Sequence, residues 1–213
     1  EVNLEDALGL NTSGLVFRGA ANYYFGKTRR HNVMVGYFDI NRSATKILED
    51  SLQVGEIWYP VGEEVDTKFD LTILRAKYGY AFLHDERISL SVSAGFFILP
   101  ISYSLTATGL DEQEGKIIAP LPVVGLSLQV HLTDKLFIAQ SSELLYLASS
   151  NFNGGILDIN VQLGYRAFKH FGFGLDVNST QINVEAKASS NADFIGRAEF
   201  SYTGVALFAA YFF

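Results

Sequence analysis

The sequence predicts an all-β fold, an antiparallel transmembrane β-barrel of about ten strands that extends above the membrane and whose first strand is incomplete. Apolar and polar residues alternate with a period of two in nine long segments between turn signals. At the end of the chain, every second residue of 205–213 is apolar or aromatic, and the last is Phe213. We interpret residues 1–213 as a single domain. The predicted strands span roughly 13–25, 32–47, 65–82, 87–107, 117–132, 136–147, 155–167, 171–187 and 194–213.

Composition excludes several classes of protein. The 213-residue chain has no cysteine and a formal net charge of −7, which rules out disulfides and thiolate chemistry and argues against a nucleic-acid partner. No run approaches the roughly 20 apolar residues of a membrane helix. A membrane protein without such a run has to be a closed barrel, because lipid cannot satisfy free backbone groups. Residue 1 is Glu and no signal peptide precedes it, so we expect a processed or truncated chain.

The connections between predicted strands alternate between short and long. This pattern is typical of outer-membrane barrels, in which the short turns are periplasmic. Nine strands is an odd number, whereas single-chain bacterial barrels are usually even, so we infer that residues 1–8 are the upper half of a first strand. The alternative is a disordered tail or a short plug. The predicted turns lie at 26–30, 83–87, 133–135 and 169–170, and the predicted loops lie at about 48–64, 108–116, 148–154 and 188–193.

The polarity of the two strand faces changes along the strands. Near the short turns the predicted outward face is apolar, as at Leu157, Ile159 and Val161, and the inward face is small or polar. Farther along, five strands invert this polarity without a change of phase, so the interior above the membrane becomes apolar. The predicted apolar interior consists of Phe38, Ile40, Phe69, Leu71, Ile73, Phe97, Leu99, Ile101, Tyr103, Ile182, Val184, Phe200 and Tyr202.

Two interpretations of this apolar interior stay open. It is either a packed core that stiffens the protruding barrel or a concave site for a small apolar ligand that enters from outside. Prolines favour the second interpretation. Pro100 in the fourth strand and Pro120 and Pro122 in the fifth cannot donate ladder hydrogen bonds, which predicts a lateral gap near the outer membrane boundary. Alternatively, these prolines lie above the membrane, where water satisfies the freed groups.

Charged residues on the inward face form another predicted group. Buried charges have to be paired, so we expect a salt-bridge network that plugs the lower interior; a pathway for polar solutes is the alternative. A barrel of about ten strands is filled by side chains or holds at most one small ligand. The predicted network consists of Arg18, Arg75, Lys77, Glu143, Asp158, Arg166 and Asp176.

Signals for catalysis and metal binding are weak. Three of the four histidines lie at or beside predicted short turns, and only His131 faces the interior, where Ser127, Ser141 and Glu143 could lie nearby. A catalytic triad is recognised by geometry rather than by spacing, and no metal-ligand cluster stands out. We therefore predict that the protein is not an enzyme and needs no metal or cofactor.

Several stretches together resemble an uncharacterised family of proteobacterial outer-membrane barrel proteins. Members carry a signal peptide and a further strand before the Leu-Glu-Asp sequence found here at 4–6, which agrees with the strand parity. The resemblance implies a fold and no known activity. The architecture is also similar to small OmpW-type barrels, which are associated with the passage of apolar compounds, although function does not follow from fold. The stretches that carry the resemblance lie at 4–10, 60–67, 77–82, 119–125 and 168–174.

We therefore predict a location in the outer membrane of a Gram-negative bacterium, with lipid, a small apolar ligand and neighbouring protein chains as partners. The leading hypothesis is binding or passive uptake of a small apolar compound through the extracellular half of the barrel. The alternative is a structural or interaction protein with a plugged interior, which acts through its loops or within an assembly. In the 48–64 loop, Trp58 and Tyr59 are then exposed anchors, or they pack over the barrel mouth.

Overall fold

The computed structural model describes residues 8–10, 13–54, 57–107, 112–148, 152–186 and 196–213. In these residues nine long strands form one antiparallel sheet in the order β1-β2-β5-β6-β7-β8-β9-β10-β11, and a short hairpin forms a second sheet, β3-β4. The strands are β1 (Phe17–Phe25), β2 (His31–Ile47), β3 (Leu52–Val54), β4 (Ile57–Tyr59), β5 (Glu64–His84), β6 (Ile88–Ala107), β7 (Gln113–His131), β8 (Leu136–Ala148), β9 (Phe152–Tyr165), β10 (Phe171–Ala186) and β11 (Gly196–Tyr211).

The predicted all-β antiparallel fold is confirmed, and each of the nine predicted strands matches a long strand to within a few residues. β1 begins at Phe17 rather than at 13, and β7 begins at Gln113 rather than at 117. The hairpin β3-β4 lies inside the segment that the sequence predicts as a loop. The predicted strand at residues 1–8 lies outside the described residues except for Leu8, which is buried and does not belong to a strand. No helix in the described part of the chain is long and apolar enough to cross a membrane.

The chain divides into two compact units. The first comprises Glu1–Ala21, Val35–Ala76 and Phe97–Leu121, and the second comprises Asn22–Met34, Lys77–Phe96 and Pro122–Phe213. Five of the long strands, β1, β2, β5, β6 and β7, contribute residues to both units. The second unit also holds the whole of β8, β9, β10 and β11, and it contains all the short turns.

Each short turn is closed by local hydrogen bonds. Gly26 has a φ of 85°, a left-handed conformation that favours glycine, and its carbonyl accepts a hydrogen bond from Arg29 N (3.1 Å). Between β5 and β6, the Asp85 carboxylate accepts hydrogen bonds from the backbone N–H groups of Arg87 (2.8 Å) and Ile88 (2.7 Å). The Ile88 and Arg87 donors hold the pKa of Asp85 below its ordinary value.

The register of β8, β9 and β10 fixes which side chains share a face. Leu136 lies opposite Tyr165, and Tyr165 lies opposite Phe173, so the period of two places the apolar rows of the three strands together. From Leu157 to Tyr165 and from Phe171 to Val177, every second side chain is apolar and 37–52% exposed. The intervening side chains are small or polar, and most are buried. The predicted assignment of faces is therefore confirmed on these strands.

A row of four residues fills part of the buried face. Phe137 on β8 lies opposite Gly164 on β9, Gly164 lies opposite Gly174 on β10, and Gly174 lies opposite Phe208 on β11. A Cβ atom at Gly164 would overlap the Phe137 ring, and one at Gly174 would overlap the Phe208 ring and the Leu163 carbonyl. The two glycines are thus required because the phenyl rings fold over them, and we call these residues the glycine–phenylalanine row.

Candidate functional site

The apolar interior predicted for β2, β5 and β6 is a packed core in the first unit. Six of its side chains retain 0–3% of their accessible surface. A cavity large enough for one water molecule would leave measurable surface on the groups around it, so no such space touches Ile73 and Phe97, which retain none. Phe69 and Ile101 are half-buried, and Tyr103 is partly exposed. The six side chains are Phe38, Ile40, Leu71, Ile73, Phe97 and Leu99.

A second apolar cluster in the first unit packs part of the predicted loop against the strands. Tyr59 at the end of β4 is its largest fully buried member, and Phe69 of β5 packs against it. The loop is held by two backbone hydrogen bonds at Leu48, which donates to Glu63 O (2.9 Å) and accepts from Gly62 N (2.8 Å). The buried members of this cluster, here called the loop cluster, are Leu8, Leu10, Leu48, Tyr59, Val65, Leu105 and Ala107.

The two neighbouring aromatics of this loop have opposite environments. Trp58 is 60% exposed, whereas Tyr59 is 0% exposed. The interpretation of both as exposed anchors is therefore wrong for Tyr59, because consecutive residues of a strand point to opposite sides. Burial raises the pKa of Tyr59, and among the described residues its hydroxyl has no hydrogen-bond partner.

The rest of the predicted apolar interior lies in the second unit. Ile182 of β10 is buried, and Phe200 and Tyr202 of β11 are half-buried. Backbone register pairs Ile182 with Phe200 and Thr180 with Tyr202. The side chain of Val184 lies outside the described residues. This part of the predicted set is thus less completely covered than the core of the first unit.

Three predicted charges of the second unit lie on one buried polar surface. Lys77 of β5 forms a buried ion pair with Glu143 of β8. Asp158 of β9 lies directly opposite Glu143 and is fully buried, and its carboxylate accepts hydrogen bonds from Thr180 Oγ1 (2.5 Å) and Asn178 Nδ2 (3.3 Å). These contacts satisfy charges that would otherwise be costly to bury.

Asp176 of β10 extends the same polar surface. Its carboxylate accepts hydrogen bonds from Asn160 Nδ2 (2.7 Å) and Gln162 Nε2 (2.8 Å), both on β9. With Asn178 bound to Asp158, each of these two buried aspartates has amide donors on the neighbouring strand. The polar residues form a cross-linked layer between β9 and β10 rather than a row of free charges along a channel.

The three arginines of the predicted network have different environments. Arg75 is buried in the first unit, and its guanidinium lies 4.7 Å from the centre of the Phe97 ring. Arg18 is half-buried. Arg166 follows the last residue of β9 and is exposed, and its guanidinium lies 4.2 Å from the centre of the Phe212 ring.

Among the described residues, the pairing of β7 with β8 stops partway along both strands. It joins Val124–His131 to Phe137–Leu144, while β8 pairs with β9 as far as Ala148. At the turn, Leu132 N donates to Leu136 O (2.8 Å). Because residues two apart direct their backbone groups to the same neighbour, the even-numbered residues of β7 face β8. The next hydrogen-bonded pair would join Pro122 to Tyr146, and Pro122 has no N–H.

Side chains beside this end of the pairing have few lateral neighbours. Val124 is 62% exposed and Tyr146 is 71% exposed, comparable to Val205 on the edge strand β11 at 73%.

Pro100 on β6 faces a different neighbouring strand from Pro122 on β7. Asp85 N donates to Ile88 O across the β5–β6 turn, so even-numbered residues of β6, Pro100 included, face β5. The three prolines therefore do not form a single gap. Pro100 belongs to the β5–β6 pair, whereas Pro122 belongs to the β7–β8 pair.

His131 does not form a catalytic arrangement with the residues expected near it. It is exposed, and its Nε2 lies 3.1 Å from Gln129 Nε2. Ser127 and Ser141 are cross-strand partners of each other, and Glu143 is engaged by Lys77. No group of three or more His, Asp or Glu side chains in the described residues could hold a metal ion.

Sequence analysis missed a polar groove on the exposed side of β5, β6 and β7. It lies in the first unit and has a volume of about 350 Å³. A sequence signal was present: short serines on the outward face of β6, with charged residues on the outward faces of β5 and β7. The lining residues are Lys68, Asp70, Ser102, Tyr103, Ser104, Glu112, Glu114, Gly115 and Lys116.

Comparison with known proteins gives no relative. No protein-family model, no curated protein and no solved structure matches the chain.

Proposed function

We propose that this chain is an outer-membrane β-barrel with a blocked interior, which acts as a structural or interaction protein through its outer surface and loops. One observation carries the proposal. On β9 and β10 the exposed face is a continuous apolar surface, while the opposite face buries Asp158, Asn160, Asp176 and Asn178. This is the reverse of a sheet that covers the core of a water-soluble protein, and it is the arrangement that a lipid environment favours.

The dimensions of the apolar surface fit a bilayer. On β9 it runs from Leu157 to Tyr165, which is about 27 Å along a strand at about 3.4 Å per residue. A strand tilt of about 40° reduces this to about 20 Å, close to the roughly 25 Å band of outer-membrane barrels. At the turn end the surface is aromatic, since Tyr165 packs against Phe173 (5.8 Å between ring centroids), and such girdles mark the membrane–water interface.

Strand parity supports closure by a tenth strand. β1 and β11 are the edges of the described sheet, and an antiparallel order of nine gives them the same direction. A single strand antiparallel to both would complete the ladder. We propose that a strand from outside the described residues, either of this chain or of a neighbouring chain, occupies this position.

Three features support a blocked interior. The core around Phe97 is packed, the ion pair of Lys77 and Glu143 lies on the buried polar surface, and Tyr59 in the loop cluster is fully buried. A blocked interior predicts no steady ion conductance when the purified protein is inserted into a planar bilayer. Stable conductance in the hundreds of picosiemens would contradict it.

Site-specific labelling tests whether the exposed face contacts lipid. The chain has no cysteine, so Leu175→Cys and Asn183→Cys each provide one label on the exposed face of β10. We expect a polarity-sensitive fluorophore in vesicles to be shifted to the blue at Leu175, because that position lies in the apolar surface, and not at Asn183. Nitroxide-labelled lipid should quench only the label at Leu175. A label at Leu175 that responds to a water-soluble quencher as strongly as the one at Asn183 would refute the membrane assignment.

A second candidate function is binding or lateral passage of a small apolar compound where the β7–β8 pairing ends. The specific observation is that Pro122 ends the pairing and leaves Val124 and Tyr146 highly exposed. The route would then lie between strands rather than through the packed core.

Pro122→Val tests this candidate, because valine restores the missing N–H. We expect Pro122→Val to extend the β7–β8 ladder by one hydrogen-bonded pair, which slows hydrogen exchange at the Tyr146 amide. Uptake of the apolar probe 1-N-phenylnaphthylamine into proteoliposomes should fall if the compound passes here. Pro100→Val, on the β5–β6 pair, is the matched control. Unchanged probe uptake in a Pro122→Val protein whose Tyr146 amide is protected would exclude this route.

A further inference from the structure

The groove on the exposed side of β5, β6 and β7 has the shape of a narrow binding cleft. Its floor is formed by Ser102 and Ser104 of β6, whose side chains are short. Lys68 and Asp70 of β5 form one wall, and Glu114 and Lys116 of β7 belong to the other. The two walls stand on strands two positions apart, which is about 10 Å. This leaves room for one sugar ring between long side chains.

Four of the charged side chains that line the groove form no ion pair within the described part of the protein, whereas the fifth, Glu112, has an interaction of its own. Among the described residues, neither Lys68 nor Lys116 forms an ion pair, and neither do Asp70 and Glu114. All four side chains are exposed. Apart from the carboxylate of Glu112, the groove therefore presents two ammonium groups on opposite walls, two carboxylates and two serine hydroxyls to a ligand. Ammonium groups bind phosphate as point charges, and carboxylates and serines accept hydrogen bonds from hydroxyls.

The location of the groove indicates where such a ligand would come from. On β7 the next outward side chain toward the turn end after Lys116 is Ile118, which is apolar and exposed. On β5 the outward face becomes apolar at Leu74, beyond Asp70 and Thr72. On these two strands the groove thus begins where the apolar outward face ends. If the apolar outward faces lie in the membrane, as proposed above for β9 and β10, the groove lies at the height of the lipid head groups.

We propose that this groove binds a phosphorylated saccharide, the head group of a glycolipid in the outer leaflet. This inference rests on the proposed membrane location and names a ligand class for the outer surface. The two lysines contact the phosphate groups, while Asp70, Glu114 and the serine floor accept hydrogen bonds from sugar hydroxyls. A phospholipid head group without a sugar would satisfy the lysines and leave the carboxylates without donors, so the groove discriminates against it.

Native mass spectrometry of the detergent-purified full chain tests the proposal. The probes are lipid A, which is a bis-phosphorylated diglucosamine lipid, and phosphatidylglycerol as an anionic lipid without sugar. We expect preferential binding of lipid A and a loss of about tenfold or more in the double variant Lys68→Gln/Lys116→Gln, because hydrogen bonds to charged groups are lost. The double variant Lys27→Gln/Lys169→Gln, at exposed turn positions, is the charge-matched control and should bind as the parent does. Ser102→Leu fills the floor without changing charge and should also weaken binding.

The remaining outcomes separate the sources of the ligand. Glucosamine 1-phosphate presents the same phosphorylated sugar without a lipid tail, and its binding is followed by NMR line broadening. Binding of this soluble probe that depends on Lys68 and Lys116 would support the proposed recognition and show that a free sugar phosphate is a ligand as well. The proposal would be overturned if the groove variant Lys68→Gln/Lys116→Gln and the control variant Lys27→Gln/Lys169→Gln lost binding of lipid A and of phosphatidylglycerol equally. Binding would then depend on non-specific charge. No binding of lipid A, together with a Leu175 label in lipid, refutes the groove while the proposed function stands. A Leu175 label in water refutes the proposed function itself.

Discussion

Replacement of Lys77 by methionine is expected to destabilise the protein by about 3–5 kcal/mol. The variant leaves the carboxylate of Glu143 buried without its cation. Glu143 is 1% exposed, and it faces the fully buried Asp158 on the next strand, so removal of the ammonium group also leaves two carboxylates side by side. The measurement is the free energy of unfolding by urea in the presence of detergent or lipid vesicles.

A double variant separates the ion pair from a general packing effect. Lys77→Met/Glu143→Leu removes both charges and keeps similar side-chain volumes, so we expect it to recover most of the lost stability, as replaced buried pairs often do. Lys169→Met, at an exposed turn position, should change stability by less than about 0.5 kcal/mol. If Lys77→Met were as harmless as Lys169→Met, the buried pair would not be a structural element of the fold.

Replacement of Tyr59 by alanine is expected to have a similarly large effect, about 3–5 kcal/mol. Tyr59 is fully buried in the loop cluster, and truncation would leave a cavity among Leu48, Val65 and Leu105. Tyr59→Phe should instead be neutral or stabilising by about 1 kcal/mol, because it removes a buried hydroxyl that has no partner. Thermal unfolding of the two variants in the same detergent provides the comparison.

The neighbouring Trp58 is the control for this loop. It is exposed, so Trp58→Ala should leave stability within about 0.5 kcal/mol of the parent. Greater loss of stability at Trp58 than at Tyr59 would reverse the inferred orientation of the loop. It would also return Tyr59 to the role of an exposed anchor.

Alternation along the sequence predicted strands and faces well for a physical reason. A one-residue slip would move every apolar side chain of a strand to the opposite face, so the pattern around Leu157 or Phe173 permits one orientation only. The same argument placed Lys77, Asp158 and Asp176 among the buried residues. Alternation gives no information beyond the end of a strand, so it does not decide the side on which Arg166 lies.

Features that depend on which strands are partners could not be predicted in the same way. The pairing of Lys77 with Glu143 joins β5 to β8, and no local spacing encodes it. The short strands of the β3-β4 hairpin are too brief for a periodic signal. Tyr59 and Trp58 are adjacent aromatics of similar hydropathy, so only the structure shows which of them is buried. For the apolar interior, composition allowed either a core or a cavity, and side-chain packing decides this in the first unit.

The glycine–phenylalanine row has a consequence for the order in which the chain folds. Each contact in the row joins strands that are consecutive in the chain, from Phe137 on β8 to Phe208 on β11. Contacts of short sequence separation cost little loop-closure entropy and form early. The last four strands can therefore assemble hairpin by hairpin into a nucleus. In the proposed closed barrel, the contact of greatest sequence separation, between the two edges of the sheet, would then form last and limit the rate.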